Sequence, residues 1–456
     1  MWTFSQCIEA TGGQGIGRPA SVSAVTTDSR RPVEGALFFA LSGDRFDGHD
    51  FVEAALQHGA VGAVVSQSAF AERQAAGSKR TAGSFFICVD SPVAALGRMA
   101  AWHRRRFSIP LIGITGSNGK TTTKEMLAAI LSRRRATLAT RGNLNNQIGL
   151  PLSLLELTDA HQVAVLEIGI SRPGEMKPLC DIARPTVGIV TNVGPAHLEF
   201  LGSIEGVARE KGIMLEMAES GVVNLDDPHL APWAARLAKK WTYSLDGPAD
   251  VSVSAIRPGP NATAFRLHLA GTETDDVILS SPGRHQLQNA LAAAACAWAV
   301  GCTGDDIRAG LTAFRPTAMR MEVREVGDLR VLLDAYNANP ASMKAAIATL
   351  AAAPGRRVAL LGDMLELGVD AAMLHAAVGQ FAARAGIDCL FCVGQFAQAM
   401  ADGAKQAGGQ AEVYAALTDA AAPLRAVLRP GDTLLIKGSR GMKMEAILPA
   451  LNPTTT

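Results

Sequence analysis

The sequence predicts an α/β protein built from three domains. The chain has 456 residues, of which 48% are hydrophobic, so it can bury large cores but exceeds the roughly 100 to 200 residues of one ordinary domain. Apolar segments of strand length alternate with helical segments along most of the chain, as in mostly parallel sheets covered by helices. This pattern changes at about residues 109 and 319. We therefore expect three domains, at 1–108, 109–318 and 319–456.

The N-terminal domain is predicted to be a small α/β unit. Apolar strands are expected at 35–41 and 62–65, with polar turns between them, and a helix is expected at 51–58.

The central domain is predicted to contain a mostly parallel sheet with a small antiparallel side sheet. Apolar strands are expected at 111–115, 163–168 and 187–192, and each is followed by a helical segment or a loop. Between 248 and 281, short strands are separated by Pro-Gly-Pro-Asn and Gly-Thr turns, which indicates the antiparallel part.

The C-terminal domain is predicted to be Rossmann-like and doubly wound, because four apolar strands are each followed by an alanine-rich helix. Those strands are expected at 331–334, 358–361, 390–393 and 433–436. Ligands of such sheets bind at the carboxyl ends of the strands. Polar residues stand at these ends in the central and C-terminal domains, namely Glu167, Asn192, Asp334, Asp363 and Lys437.

The composition argues against several classes of function. Lysine and arginine number 43 against 42 acidic residues, so no overall field attracts nucleic acid or an acidic membrane. The basic runs at 104–106 and 133–135 lack aromatic neighbours that stack bases, and we interpret them as solvated helix ends. Without a signal-peptide pattern or a long apolar run, we expect a cytoplasmic protein, a monomer with no nucleic-acid partner and no membrane insertion. The seven cysteines are expected to be reduced.

The segment 110–126 carries the strongest functional signal. An apolar strand runs into three glycines, then Lys120 and Thr121, then a predicted helix. Such a turn directs backbone N–H groups and a helix N-terminus at one small volume, which suits the phosphates of a nucleotide. Lys120 is expected on the β- and γ-phosphates of ATP and the Thr121 hydroxyl on Mg²⁺, although the usual P-loop pattern has glycine where this chain has Ile114. The predicted nucleotide contacts here are Gly113, Thr115, Gly116, Ser117, Asn118, Gly119, Lys120 and Thr121.

Two further strand ends carry candidate metal ligands. Glu167 ends one strand of the central domain, and His197 follows another. A carboxylate and an imidazole beside a phosphate loop are candidate ligands for Mg²⁺, which binds few protein groups and keeps its waters. Histidine is an uncommon ligand for so hard an ion, so the residue types alone favour a structural histidine. Lys211, in a helical segment, would alone be interpreted as a surface lysine.

The motif Thr-Gly-Ser-Asn-Gly-Lys-Thr-Thr at 115–122 resembles the ATP-binding loop of the Mur ligases, ATP-dependent enzymes that form amide bonds in bacterial cell-wall precursors. The resemblance implies that Glu167 and His197 hold a second Mg²⁺. It also implies that Lys211 is carbamoylated, which replaces a cation with a carboxylate-like metal ligand. Lys120, Glu167, His197 and Lys211 are then the expected catalytic residues, and further nucleotide contacts are implied for Asn289, Arg320 and Asp334.

The segment Asp334-Ala-Tyr-Asn-Ala-Asn-Pro340 resembles one member of that family, the ligase that adds D-alanyl-D-alanine to UDP-N-acetylmuramoyl-tripeptide. A structural turn with a helix cap needs only one Asn or Asp, whereas this turn has several polar residues. Residues 140–151 resemble the family's substrate loop and 437–441 its C-terminal signature, whereas 27–30 and 40–51 resemble the region that holds the uridine diphosphate. The expected substrate-binding residues are Ser29, Arg30, Asp47, Asn143, Asn145, Asn146, Tyr336, Asn337 and Asn339.

The resemblance therefore implies a ligase that uses ATP and Mg²⁺, takes UDP-N-acetylmuramoyl-tripeptide and D-alanyl-D-alanine as substrates, and forms an acyl phosphate. Both nucleophiles belong to the substrates, and the sequence has no Gly-x-Ser-x-Gly motif. Two alternatives remain open. One is another ligase of the family, which adds a diamino acid or extends folates with glutamate, and the other is a P-loop protein that uses ATP as a switch for a protein partner.

Overall fold

The computed structural model describes residues 1–30, 33–43, 46–75 and 83–451. Residues 44 and 45, within the predicted uridine diphosphate region, lie outside the described residues. The chain divides into two compact units. The first contains 1–113, 135–170 and 175–186, and the second contains 114–134, 171–174 and 187–456.

The N-terminal region of the first unit contains a five-stranded sheet, in the order β1-β5-β4-β3-β2. The elements in chain order are α1 (Phe4–Thr11), β1 (Gln14–Gly17), β2 (Ala24–Thr26), β3 (Ala36–Phe39), α2 (Val52–Gln57), β4 (Gly62–Ser66), α3 (Gln67–Ala75), β5 (Phe85–Val89) and α4 (Pro92–Arg104). Only β1 is antiparallel. Strands β3 and β5 are buried throughout, as expected of parallel strands covered on both faces.

The central region contributes strands and helices to both units. Its elements are β6 (Leu111–Thr115), α5 (Lys120–Leu131), β7 (Thr137–Ala139), α6 (Gly149–Leu155), β8 (Val163–Glu167), α7 (Met176–Ala183), β9 (Val187–Val190), α8 (Leu198–Leu201), α9 (Ile204–Met217), β10 (Ser220–Asn224), α10 (Trp233–Arg236), β11 (Lys240–Tyr243), β12 (Val251–Pro258), β13 (Thr263–Leu269), β14 (Thr272–Glu273), β15 (Val277–Leu279), α11 (Arg284–Ala299) and α12 (Gly304–Ala313). In the first unit, β7 and β8 pair in parallel.

Within the second unit, the central strands follow the order β14-β13-β12-β11-β10-β9. Strands β9 to β12 are parallel, and β12 to β15 pair antiparallel. The predicted antiparallel side sheet is therefore an extension of the parallel sheet, joined to it at the pair of Tyr243 and Val251. Helix α11 is mostly buried and alanine-rich, which allows it to pack closely between α5 and this sheet.

The C-terminal region of the second unit is doubly wound, as predicted. Its elements are β16 (Glu322–Val326), β17 (Leu329–Asp334), α13 (Pro340–Ala351), β18 (Arg357–Gly362), α14 (Ala371–Arg384), β19 (Cys389–Val393), α15 (Ala397–Gln406), β20 (Ala411–Tyr414), α16 (Leu417–Val427), β21 (Thr433–Lys437) and α17 (Leu448–Leu451). The sheet order is β16-β17-β21-β18-β19-β20, and all pairs except β16–β17 are parallel. Helices α13 to α15 cover one face, and α16 and α17 cover the other.

The α/β fold class, with sheets in three successive regions of the chain, is confirmed. The seven cysteines all lie in the described part of the chain and form no disulfide with one another, which agrees with the prediction of reduced thiols. Burial raises the pKa of Cys7, Cys180 and Cys392 to about 12, so these thiols are inert core groups. In the described part of the chain, no helix combines the length and the apolarity that a membrane span requires.

Candidate functional site

The glycine-rich turn joins β6 to α5, and two of its glycines have backbone conformations that side chains rarely adopt. Gly116 has φ +147, and a Cβ there would lie 1.9 Å from Oγ1 of Thr191. Gly119 has φ +80, and a Cβ there would lie 2.2 Å from Oδ1 of Asn289. Both positions therefore require glycine. The other predicted glycine, Gly113, lies inside β6.

The turn is held in shape by the segment that follows β9. Ser117 donates its N–H to the carbonyl of Asn192 over 2.9 Å, and its hydroxyl donates to the carbonyl of Gly194 over 3.0 Å. The side chain of Asn192 accepts from the N–H of Asn118 and donates to its carbonyl. From the sequence, Asn192 could be assigned only to a strand end. Its hydrogen bonds to Asn118, which stabilise the turn, join segments that are distant in the sequence.

Lys120 and Thr121 occupy the first turn of α5, as the motif predicts. Nζ of Lys120 donates to the carbonyl of Gly116 over 2.8 Å, so the side chain folds back over the turn. Thr121 is buried. The buried hydroxyl of Thr115 has no hydrogen-bond partner among the described residues. The loop therefore combines a cation, helix N-terminal amides and a hydroxyl without a partner, which together suit a phosphate group.

His197 immediately precedes α8 and has a left-handed backbone with φ 53. Its Nδ1 lies 2.9 Å from Oε2 of Glu366, and its side chain is 27% exposed. Burial lowers the pKa of His197, and the charges of Lys211 and Lys120 act in the same direction. Glu366 acts in the opposite direction without reversing the shift. The imidazole is consequently neutral at neutral pH, the form that binds metals.

Lys211 is fully buried in α9, so its interpretation as a surface lysine is wrong. Burial holds the pKa of Lys211 well below its ordinary value, and the charge of Lys120 lowers it further. A depressed lysine pKa increases the fraction of neutral amine at neutral pH, and the neutral amine is the form that reacts with CO₂. A signal for this burial was present in the sequence, because Val207, Met214 and Leu215 follow helical spacing around Lys211 and place it on the apolar face of α9.

Glu167 lies in the first unit, at the end of β8, and is 3% exposed. Its Oε1 accepts from Nδ2 of Asn145 over 2.9 Å, and its backbone N–H donates to the hydroxyl of Thr140. The side chain of Asn146 caps α6 by accepting from two backbone N–H groups. Asn143 provides a carbonyl to the same turn. The predicted substrate loop is thus a structured turn linked to Glu167.

The predicted uridine diphosphate residues lie in N-terminal loops of the first unit. The side chain of Arg30 is 86% exposed and forms a bidentate ion pair with Asp28. Ser29 accepts a hydrogen bond at its carbonyl from His58. Asp47 caps a short helical turn through the backbone N–H of His49. The hydrogen bonds of Asp47 are therefore local, and they stabilise the turn in which it lies.

The predicted substrate turn after β17 is fixed by Lys437, which is 2% exposed on its side chain. Nζ of Lys437 donates to Oδ2 of Asp334 over 2.6 Å and to the carbonyl of Asn337 over 2.9 Å. Asn339 caps α13, and its Nδ2 donates to Oδ1 of Asn118 over 2.7 Å. The structure therefore brings the turn of the C-terminal region to the glycine-rich turn.

Arg320 lies over the ring of Tyr336, with its guanidinium carbon 3.9 Å from the ring centroid. Nε of Arg320 is buried and has no hydrogen-bond partner in the described part of the chain. The neighbours of Arg320, Met319 and Met321, have left-handed backbones with φ 60 and 52. Asn289 is buried and donates to Gln286 within α11.

A cavity of about 710 Å³ lies between the start of α11, the end of β12 and helix α13. It begins one helical turn before Asn289, at His285, and its lining also includes four prolines, four alanines and the charged residues Arg284 and Arg330. Burial lowers the pKa of His285 to about 4, so this imidazole is also neutral. An apolar cavity with a few polar groups is typical of binding sites for small organic molecules.

Among the described residues, no group of three or more His, Cys, Asp or Glu side chains is placed to hold a metal ion. A ligand set for Mg²⁺ would therefore need water, a phosphate or a modified side chain in addition to the residues as they stand.

Three parts of the chain match families of known proteins. Residues 21–104 match the Mur ligase family, catalytic domain, residues 114–297 match the Mur ligase middle domain, and residues 319–440 match the Mur ligase, glutamate ligase domain. The chain is 38% identical to the UDP-N-acetylmuramoyl-tripeptide–D-alanyl-D-alanine ligase of Escherichia coli (strain K12), covering 100% of this chain and 99% of that relative. The relative of the same name from Bacillus subtilis (strain 168) is 34% identical, with 94% and 93% covered.

Two solved structures extend this similarity to the fold. Crystal structure I of MurF from Acinetobacter baumannii has a TM-score of 0.90 and 33% identity, covering 99% of this chain and 98% of that one. The structure of MurF ligase from Thermotoga maritima in complex with ADP has a TM-score of 0.83 and 28% identity, covering 94% and 97%.

Proposed function

The chain belongs to the Mur ligase family, and we propose that it is the ATP-dependent ligase that joins D-alanyl-D-alanine to UDP-N-acetylmuramoyl-tripeptide. The product of this reaction is the pentapeptide precursor of peptidoglycan. The single observation that carries the proposal is the similarity, along nearly the whole chain, to relatives with that activity in their names. The three domains are assigned as 1–108 for the UDP-linked substrate, 109–318 for ATP, and 319–456 for D-alanyl-D-alanine and part of ATP. The protein acts as a cytoplasmic monomer.

ATP binds with its phosphates on the glycine-rich turn and its adenosine toward the cavity beside His285. The buried hydroxyl of Thr115 and Nε of Arg320 have no hydrogen-bond partner among the described residues, and phosphate oxygens are acceptors for both. Asn289 lies between the turn and the cavity, where it contacts the nucleoside. Asp334 belongs to the same nucleotide site.

The reaction begins when the free carboxylate of the tripeptide attacks the γ-phosphate of ATP, giving an acyl phosphate and ADP. Lys120 offsets the charge on the transferring phosphoryl group, which is the main catalytic effect a protein supplies in such a transfer. The amino group of D-alanyl-D-alanine then attacks the acyl carbon, loses a proton, and phosphate leaves. Both nucleophiles come from substrates, so the chain needs no nucleophilic serine or cysteine.

Mg²⁺ would be held by Thr121, Glu167, His197 and a carbamoylated Lys211. The residues fit this ion in two respects. Burial lowers the pKa of His197, which favours the neutral imidazole that binds metals, and burial also lowers the pKa of Lys211, which favours the neutral amine that CO₂ modifies. When bound, Mg²⁺ supplies positive charge to the phosphate oxygens.

D-alanyl-D-alanine is assigned to the turn of Tyr336, Asn337 and Asn339. The UDP-linked tripeptide is assigned to two sets of residues in the first unit. These are Ser29, Arg30 and Asp47 for the diphosphate, and Asn143, Asn145 and Asn146 for the peptide.

Substituting Asn339 separates its two contacts. Asn339→Ser keeps a good helix cap for α13 but cannot reach Asn118, so we expect a loss of about 1 kcal/mol in the free energy of unfolding, as for one lost hydrogen bond, and a KM for ATP raised about tenfold. Asn339→Ala should show the same KM and lose about 1 kcal/mol more, because the helix cap is also lost. Steady-state kinetics and urea unfolding measure both effects. A KM in the serine variant equal to that of the wild type would contradict the proposed link between the two turns.

The carbamate on Lys211 has a direct spectroscopic test. Protein equilibrated with ¹³C-bicarbonate should give one carbamate carbon resonance that is absent in Lys211→Ala. The exposed lysine variant Lys405→Ala is the control and should keep the resonance. A spectrum of the wild type without that resonance would remove Lys211 from the proposed metal site.

The function itself is tested by phosphate release with each substrate omitted in turn. A ligase should release little phosphate until both the tripeptide and the amine are present. A panel with D-alanyl-D-alanine, a diamino acid and glutamate as amines then separates this ligase from others of the family. Phosphate release that ignores both acceptors would instead favour the ATP switch.

A further inference from the structure

The contact between Glu366 and His197 has no part in the steps above. Glu366 lies in the loop between β18 and α14, and its side chain is 60% exposed. Its backbone is left-handed, with φ 60, as is that of His197. Non-glycine residues rarely adopt this conformation, and in native proteins such residues concentrate at functional sites. Glu366 and His197, two such residues from distant parts of the chain, are in contact through their side chains.

The contact joins Oε2 of Glu366 to Nδ1 of His197, at 2.9 Å. The two atoms are within hydrogen-bond distance, although Nδ1–H does not point straight at the carboxylate in this structure. Because Nδ1 and Nε2 point in different directions from the ring, this contact leaves Nε2 for another partner. A neutral imidazole that donates from Nδ1 offers a lone pair at Nε2.

We propose that Glu366 is a positioning residue, whose carboxylate holds Nδ1–H of His197 and so fixes the tautomer and ring orientation that present Nε2 to Mg²⁺. Carboxylates commonly orient metal-binding histidines in this way. The inference rests on the proposed role of His197 as a metal ligand. Since Glu366 belongs to the C-terminal region and His197 to the central one, the metal site is complete only when these two regions are in contact.

The test measures Mn²⁺ binding to the full chain in the presence of ADP, by the EPR signal of free Mn²⁺. We expect Glu366→Ala to weaken the Mn²⁺ site that depends on His197 by about 10- to 100-fold, the usual effect of losing such a partner. Glu366→Gln keeps an acceptor and should lose less. The matched control is Glu199→Ala, which removes an exposed carboxylate on α8 beside the same loop and should bind as the wild type does.

A double variant distinguishes positioning from an independent effect. If Glu366 acts through His197, adding Glu366→Ala to His197→Ala should cause no further loss of Mn²⁺ affinity. The inference would be overturned if Glu366→Ala bound Mn²⁺ with wild-type affinity. It would also be overturned if the losses of Mn²⁺ affinity in the two single variants added in full in the double variant. If His197→Ala itself binds Mn²⁺ as the wild type does, the metal role in the proposed function fails, and the inference fails with it.

Discussion

Lys120→Met should lower kcat about 1,000-fold, because no other group in the glycine-rich turn brings a positive charge to the transferring phosphoryl group. The side chain lies over the turn, with its Nζ 2.8 Å from the carbonyl of Gly116. Methionine keeps the length and the apolar stem but not the charge. The effect should therefore appear in phosphoryl transfer, measured as acyl-phosphate or ADP formation in a single turnover.

The control for this prediction is Lys405→Met, which removes an exposed lysine from α15 and should leave kcat unchanged. Thermal unfolding of Lys120→Met should match that of the wild type, because Lys120 is at a helix start where few backbone groups depend on it. If Lys120→Met retained a tenth or more of the wild-type kcat, the turn would not hold the transferring phosphate.

Lys437→Met should destabilise the protein by about 3 kcal/mol and raise the KM for D-alanyl-D-alanine. The substitution leaves the largely buried carboxylate of Asp334 without its cation, and removing one partner of such a pair is costly. It also releases the carbonyl of Asn337, so the turn that is assigned to the amine substrate loses its shape. Urea unfolding and steady-state kinetics measure the two effects.

A second substitution separates charge from shape. Combining Lys437→Met with Asp334→Asn removes the uncompensated charge, so part of the lost stability should return. The kinetic defect should persist, because the turn still lacks its anchor and Asp334 belongs to the proposed nucleotide site. A double variant that regained full activity would show that Lys437 serves only to neutralise Asp334.

Much of the fold follows from local pattern. Continuous apolar runs predicted the buried strands of all three regions, because strands covered on both faces need apolar residues at every position. The glycine-rich turn was also predictable, since its glycines are required by backbone geometry at Gly116 and Gly119. The pairing of β11 with β12 could not be predicted from the local pattern, because a single pair of residues joins the antiparallel strands to the parallel ones.

The site was harder to predict where it depends on contacts between distant segments. Asn192 braces the glycine-rich turn, and Asn339 contacts Asn118, at sequence separations that no local pattern encodes. The burial of Lys211, by contrast, could have been inferred from its place on the apolar face of α9. Conversely, Asp47 and Asn146 were predicted as substrate residues and have local capping contacts, which short polar side chains form in many turns.

In the proposed reaction, the chain joins a carboxylate to an amine through an acyl phosphate. The most direct measurement uses UDP-N-acetylmuramoyl-tripeptide labelled with ¹⁸O in its free carboxylate, together with ATP, Mg²⁺ and D-alanyl-D-alanine, and analyses both products by mass spectrometry. We predict a pentapeptide that has lost one labelled oxygen and an inorganic phosphate that has gained it. Inorganic phosphate without the label, or phosphate release without formation of the pentapeptide, would contradict the proposed reaction.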